Sequence, residues 1–192
     1  MQPSDLFDSD LDEHAQVLKD TRERLRDDFI ALVALCEKSV RDGGKLMFFG
    51  NGGSASDAQH LATELTVRFR TNRKAIAAVA LTTDTSALTA IGNDLGFERL
   101  FSRQIEALGR SGDVAIAIST SGRSPNVIEA ARQAKKQGIS VAALTGGDGG
   151  DLRNHADPAL IVPSTTVARI QEMHITLGQM MCSALEQRLG LA

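Results

Sequence analysis

The sequence predicts a doubly wound α/β domain, on three observations. Beyond Gly43-Gly44, short apolar runs alternate with longer amphipathic ones, the order of repeated βαβ units. The short runs do not alternate apolar with polar. Val114-Ala115-Ile116-Ala117-Ile118 is the clearest case, as strands covered on both faces of a parallel sheet require. Finally, 192 residues with 42% hydrophobic and 23% charged side chains suit one soluble domain over residues 1–192, too short for a typical TIM barrel of about 250 residues.

The elements follow in order. From about Asp10 to Arg41 the residues Leu11, Leu18, Leu25, Leu32 and Val33, with Ala15, Phe29, Cys36 and Val40 beside them, recur at helical and partly heptad spacing without an internal Pro or Gly. That spacing predicts one or two long amphipathic helices. The stripe exceeds what a small sheet needs for one cover helix, so residues 1–42 are expected to form a helical segment that packs partly against another subunit. Strands are expected at Leu46–Phe49, Ala77–Leu81, Val114–Ile118, Val141–Leu144 and Leu160–Val162. Helices are expected at Ser54–Phe69, Ser86–Ile91, Leu100–Leu108, Pro125–Gln137 and Val167–Leu189.

Composition narrows the function. The chain has no Trp or Tyr, seven Phe, four His and a net charge of −3, whereas single-stranded nucleic acid is bound by aromatics in a basic groove. Nucleic acid is not expected as a ligand. The N-terminal MQPSDLFDSDLDEH has no apolar core of a signal peptide, and no apolar run has the roughly 18 residues of a membrane span. Cys36 and Cys182 form no CxxC and sit among apolar neighbours, as buried free thiols in a reducing compartment do. The expectation is a cytoplasmic protein with no membrane partner.

In a doubly wound sheet, ligands bind outside the carboxyl ends of the strands. Two of those ends carry unusual loops. Gly50-Asn51-Gly52-Gly53-Ser54-Ala55-Ser56-Asp57 opens a helix, and its glycines allow a tight turn and close approach of backbone to a ligand. It has neither the spacing of GxGxxG nor the Lys of a Walker A loop; the alternative is a plain strand-to-helix turn. Ser119-Thr120-Ser121-Gly122-Arg123-Ser124 brings four hydroxyls and several amides to a helix N-terminus, which suits a phosphate monoester. Ser124 before Pro125 also reads as an N-cap, but one cap needs one hydroxyl.

Two helical patterns complete the candidates. His60 and Glu64 are four residues apart and share a helix face, so imidazole and carboxylate can converge on a metal or a substrate proton, or simply pair. In Ala168-Arg169-Ile170-Gln171-Glu172-Met173-His174, Gln171 lies within about 80° of Gln179 around the helix, while His174 lies on the other side of Gln171 from Gln179 and reads more readily as a core histidine.

Taken together, GNGGSASDAQHLATELTVRF (50–69), AIGNDLGFERLFSRQIEALG (90–109), ISTSGRSPNVI (118–128), ALTGGDGG (143–150) and RIQEMH (169–174) closely resemble the sedoheptulose 7-phosphate isomerases, the phosphoheptose isomerases of the SIS (sugar isomerase) superfamily. The resemblance implies a three-layer α/β/α sandwich on a five-stranded parallel sheet of flavodoxin-like order, and a homotetramer with active sites between subunits. It implies conversion of D-sedoheptulose 7-phosphate to D-glycero-D-manno-heptose 7-phosphate through an enediol, towards the heptose of lipopolysaccharide. It places the sugar phosphate on Ser119, Thr120, Ser121 and Ser124, and the sugar on Asn51, Gly52, Gly53, Asn93, Asp94 and Gln171. Glu64 is the implied catalytic base.

The resemblance also implies a zinc ion on His60, Glu64, Gln171 and a fourth position, where the family has a histidine and this chain has Gln179. A glutamine amide coordinates weakly through oxygen and does not titrate near neutral pH. Weaker or altered metal binding is therefore expected. Two other readings compete: a SIS-fold protein that binds a partner, as the DnaA-binding initiator-associating proteins do, and a sugar-phosphate sensor without turnover. Retention of Gly53 and Glu64 favours the enzyme; Gln179 pulls the other way.

Overall fold

The structure, a computed structural model, describes residues 2–191; Met1 and Ala192, the ends of the expected domain, lie outside the described residues. Two helices come first, α1 (Pro3–Arg24) and α2 (Arg26–Arg41). The chain then alternates through β1 (Leu46–Gly50), α3 (Gly53–Thr66), β2 (Ala78–Ala80), α4 (Thr85–Asp94), α5 (Ser102–Leu108), β3 (Val114–Ser119), α6 (Pro125–Lys136), β4 (Ser140–Gly146), β5 (Ala159–Val162) and α7 (Val167–Arg188). The five strands lie in the order β2-β1-β3-β4-β5, every neighbouring pair parallel. The order reverses between β1 and β3, where Gly50 pairs with Ile118, and the crevice that binds ligands in this topology opens above that point.

Each sheet face fills a separate core. Leu46, Phe48, Val114, Ile116, Ile118, Leu144 and Leu160 point towards α2, α3 and α7, with Leu32, Cys36, Leu61, Leu65, Met181 and Leu185 packed on them. Met47, Phe49, Ala115, Ala117, Val141 and Ala143 point the other way, towards Ile105 of α5 and Val127, Ala130, Ala131 and Ala134 of α6. Alternation of the side chains therefore persists in strands whose sequence does not alternate, because both sides are covered. On the second face alanine meets alanine, so α6 can lie close to the sheet.

Several boundaries differ from the sequence reading, and the structure gives the physical reason at the start of α1 and the end of α3, while it decides between one N-terminal helix and two. Helix α1 starts at Pro3, earlier than the apolar spacing indicates, because Pro3 suits a first turn and the Asp5 carboxylate accepts the Gln2 amide at 3.1 Å. The N-terminal stripe is two helices, parted at Leu25, which has φ −104° and ψ 11° and a buried side chain. Helix α3 stops at Thr66 rather than Phe69. The Arg73 guanidinium caps its last turn, donating to the carbonyl oxygens of Leu65 at 2.7 Å and Glu64 at 2.9 Å. Arg73 is itself paired with Glu186 of α7 at 2.9 Å, with side-chain exposures of only 2% and 1%.

Candidate active site

The glycine-rich loop runs from the end of β1 into α3. Gly52 precedes the helix at φ 56°, ψ −121°, a left-handed conformation that favours glycine. The amides of Ser54 and Ala55 turn back to the carbonyls of Asn51 and Gly52, which leaves the Gly52 and Gly53 amides without a backbone partner. A Cβ on Gly53 would collide with the Gln171 side-chain amide. The lack of a side chain at Gly53 thus lets α7 come against the loop.

The hydroxyl loop leaves β3 at the neighbouring strand end. Ser124 is the residue before α6, yet its hydroxyl makes no capping bond; the Val127 and Ile128 amides go to its backbone carbonyl instead. Its Oγ lies 3.2 Å from the Oγ of Ser119. The Ser121 Oγ accepts from the Arg123 amide at 3.2 Å, and Thr120 is half-buried beside it. Among the described residues, the amides of Ser121, Ser124 and Asn126 have no intramolecular partner. Four hydroxyls and these amides surround a helix N-terminus, which is the chemistry of a phosphate cradle. Arg123 does not reach into it: its guanidinium is paired with the Asp148 carboxylate at 2.6 Å.

The two loops are joined by a reciprocal amide pair. Asn51 Nδ2 donates to Asn126 Oδ1 at 2.9 Å, and Asn126 Nδ2 donates to Asn51 Oδ1 at 2.8 Å.

On the other side of the glycine-rich loop, α3 and α7 bring His60, Glu64 and Gln179 of the polar quartet together, while Gln171 lies against Gly53 at the loop. His60 Nε2 lies 3.0 Å from Glu64 Oε1 and 3.3 Å from Gln179 Nε2. Leu61 packs so tightly on Gly178 that a Cβ there would overlap it, which sets the close spacing of the two helices. Asp57, one turn before His60, has a buried Oδ2 with no hydrogen-bond partner, and burial raises its pKa against the opposing effect of His60. His174 is not in the quartet. Its Nε2 contacts the Thr145 carbonyl at 3.0 Å, and burial lowers its pKa to about 4, so it is a neutral core histidine.

The fit of the quartet to zinc can be read from these contacts. The donors are one imidazole, one carboxylate and two amides, and the Gln179 atom facing His60 is the amide nitrogen, which is not a metal donor until the amide turns. Zinc prefers nitrogen and sulfur, with carboxylate oxygen, in tetrahedral sites. The residues fit zinc poorly. Among the described residues no cluster of three or more His, Cys, Asp or Glu is arranged to hold a metal.

Asn93 and Asp94 stand apart from both loops. They close α4, exposed, and the Asn93 amide donates to the Asp94 carboxylate at 2.7 Å; no hydrogen bond ties either to the glycine-rich or the hydroxyl loop. Sequence reasoning missed three residues of this region, Asp57, Arg73 and Asn126. Asp57 carried a legible signal, its place one turn before His60 on the same face. The partners of Arg73 and Asn126 are remote in sequence, and no local pattern announces them.

Comparison with known proteins shows the family. Residues 11–146 match the SIS domain family. The chain is 57% identical over 180 residues to the phosphoheptose isomerase of Paramagnetospirillum magneticum, covering 94% of this chain and 94% of that protein. The structure of phosphoheptose isomerase from Neisseria gonorrhoeae superimposes with a TM-score of 0.92 at 43% identity, over 97% of this chain and all of that one. That of a phosphoheptose isomerase from Francisella tularensis does so with a TM-score of 0.94 at 34% identity, again over 97% and all of the two chains. This chain belongs to the SIS domain family and, within it, to the phosphoheptose isomerases.

Proposed function

We propose that the chain is an aldose–ketose isomerase that converts D-sedoheptulose 7-phosphate to D-glycero-D-manno-heptose 7-phosphate in heptose biosynthesis. The observation that carries the reading is the Asn51–Asn126 amide pair that ties the hydroxyl loop of Ser119 and Ser124 to the glycine-rich loop, whose helix α3 carries His60 and Glu64 and whose Gly53 lies against Gln171. One end of the crevice suits a phosphate and the other suits proton transfer.

The phosphate is held by Ser119, Thr120, Ser121 and Ser124 and the free amides at the start of α6. The sugar lies along Asn51, Gly52, Gly53 and Gln171. Glu64 takes the C1 proton, the C1–H electrons form the C1–C2 double bond of a cis-enediol, and the ketone oxygen takes a proton from solvent water to become a hydroxyl. Return of the C1 proton from Glu64 to C2, with the O1 proton passing back to water, leaves the aldehyde. A carboxylate in reach of both carbons can serve as base and then acid. Gln179 has no proton to exchange near neutral pH, and His174 is turned into the sheet, so the carbon-to-carbon transfer falls to Glu64. The Gln171 amide, which lies against Gly53, is proposed to donate to the developing oxyanion. Zinc on His60, Glu64, Gln171 and Gln179 is proposed as a weak ligand only.

The working form is proposed to be a homotetramer with active sites between subunits. An apolar groove of about 490 Å³ between α1, α2 and α7, lined by Leu18, Leu25, Phe29, Ile30, Met173 and Met180, supports a helical contact between copies. The exposed Asn93 and Asp94 are proposed to reach substrate across such an interface. No helix among the described residues is long and apolar enough to cross a membrane. The two buried free thiols support action in the cytoplasm, where heptose for lipopolysaccharide is proposed to be made.

An NMR assay with sedoheptulose 7-phosphate, with and without added zinc, tests the reading. Formation of the manno-heptose phosphate without added zinc is expected. Thermal stabilisation by the sugar phosphate with no product identifies a sensor, and retention of the replication initiator in a pull-down without turnover identifies a partner-binding protein.

A further inference from the structure

Asn126 is hard to account for as a helix residue. It stands in the first turn of α6 with 1% of its surface exposed, where an apolar side chain would be buried at lower cost. Asparagine favours caps and turns through local backbone bonds, but Asn126 makes none. Its side chain is spent on Asn51, 75 positions away, through two antiparallel bonds of 2.9 and 2.8 Å.

An amide paired in this way has no freedom to flip. Turning Asn51 alone sets N–H against N–H and oxygen against oxygen, and both bonds are lost. The pair therefore holds the Asn51 amide in the plane of the Asn126 amide and ties its orientation to that of its partner, and it fixes the spacing between the glycine-rich loop of β1 and the hydroxyl loop of β3. The Asn51 backbone is held as well, since its carbonyl accepts the Ser54 amide at 3.0 Å.

We infer that Asn126 is a positioning residue: through its reciprocal amide pair it sets the orientation of Asn51 toward the sugar and couples the sugar-binding loop to the phosphate cradle. The inference rests on the proposed placement of the sugar phosphate between those loops. Asn126 itself is buried and acts on substrate only through Asn51.

A double-mutant cycle tests it. Asn51→Ala and Asn126→Ala are each expected to lower kcat/KM for sedoheptulose 7-phosphate by about 10- to 100-fold, the scale of a misplaced substrate contact. The double variant is expected to be no worse than Asn51→Ala within about twofold, because residues acting as one unit are not additive. Losses that multiply in the double variant overturn the inference. Asn126→Asp keeps the shape but puts a second acceptor against Asn51 Oδ1, and it serves if the alanine variant does not fold. It is expected to lose activity as Asn126→Ala does, and wild-type activity in it overturns the inference. The same cycle is read in binding of sedoheptulose 7-phosphate by thermal shift. A wild-type protein that binds but does not turn over the sugar sinks the isomerase reading and leaves the cycle to be read in binding. A wild-type protein that does not bind it sinks both.

Discussion

The two ends of the crevice are built differently. The phosphate end is made of strand termini, backbone amides and hydroxyls, and its members are fastened to one another: Ser119 to Ser124, Asn51 to Asn126. The reacting end is made of side chains on two helix faces, held by the two contacts that His60 Nε2 makes with Glu64 and Gln179. The first end holds the chemistry that the resemblance implies at every position. The second departs from it at Gln179. In the proposed reading, binding and proton transfer rest on separate structural elements, so a change in one can leave the other intact.

The sharpest test of that separation is Glu64→Gln. Loss of a positioned base is expected to cut kcat by about 10²- to 10⁴-fold, while the affinity for sedoheptulose 7-phosphate, measured by calorimetry, stays within a few-fold of wild type. Comparable loss of affinity would join the two ends that the structure separates. The converse variant is Ser119→Ala, where removal of a hydrogen bond to a charged phosphate is expected to raise KM by about 10- to 100-fold with a smaller change in kcat. Initial rates over a range of substrate concentrations distinguish the two patterns.

Gln179→His sharpens the reacting end. A second imidazole makes the donor set one that zinc favours, and zinc affinity, read by competition with a chromogenic chelator, is expected to rise at least about tenfold. Unchanged zinc affinity would remove the quartet as a metal site.

The smallest effect concerns the helix that carries Gln171 and Gln179. His174 on the same helix faces the sheet and is held neutral, with its pKa lowered from 6.5 to about 4. Between those values the unfolded chain binds a proton that the folded chain does not, so stability is whole above about pH 6.5 and falls as pH drops towards 4. The loss amounts to at most about 3 kcal/mol. Urea denaturation at pH 7 and pH 4.5 is expected to show a decline that His174→Asn reduces; an equal decline in both proteins would assign it elsewhere.

The fold was legible because its strands are locally determined: Val114–Ile118 has no second reading once both faces must be covered. The hydroxyl loop was legible for a similar reason, since one cap could not occupy four hydroxyls, and in the structure Ser124 is not used as a cap at all. What escaped depends on contacts between remote segments. The end of α3 is decided by Arg73, whose place is fixed by Glu186 from the other end of the chain, and the apolar spacing through Phe69 carries no trace of it. The start of α1 escaped for the opposite reason, because Leu6 and Phe7 stand side by side and exposed among Ser and Asp at residues 4–9, too short a pattern to carry a helical period.

The alanine-to-alanine contact between α6 and the sheet has a consequence for interpreting variants of this enzyme. Ala115, Ala117 and Ala143 share one core with Ala130, Ala131 and Ala134, and the helix they seat begins with Ser124 and Asn126. A single added methyl group there has no free space to enter, and the relief available is a shift of α6 that carries its first turn along. A substitution that never touches ligand would then register in kinetics as a loss of substrate affinity, so in this molecule a raised KM does not by itself locate a residue in the crevice.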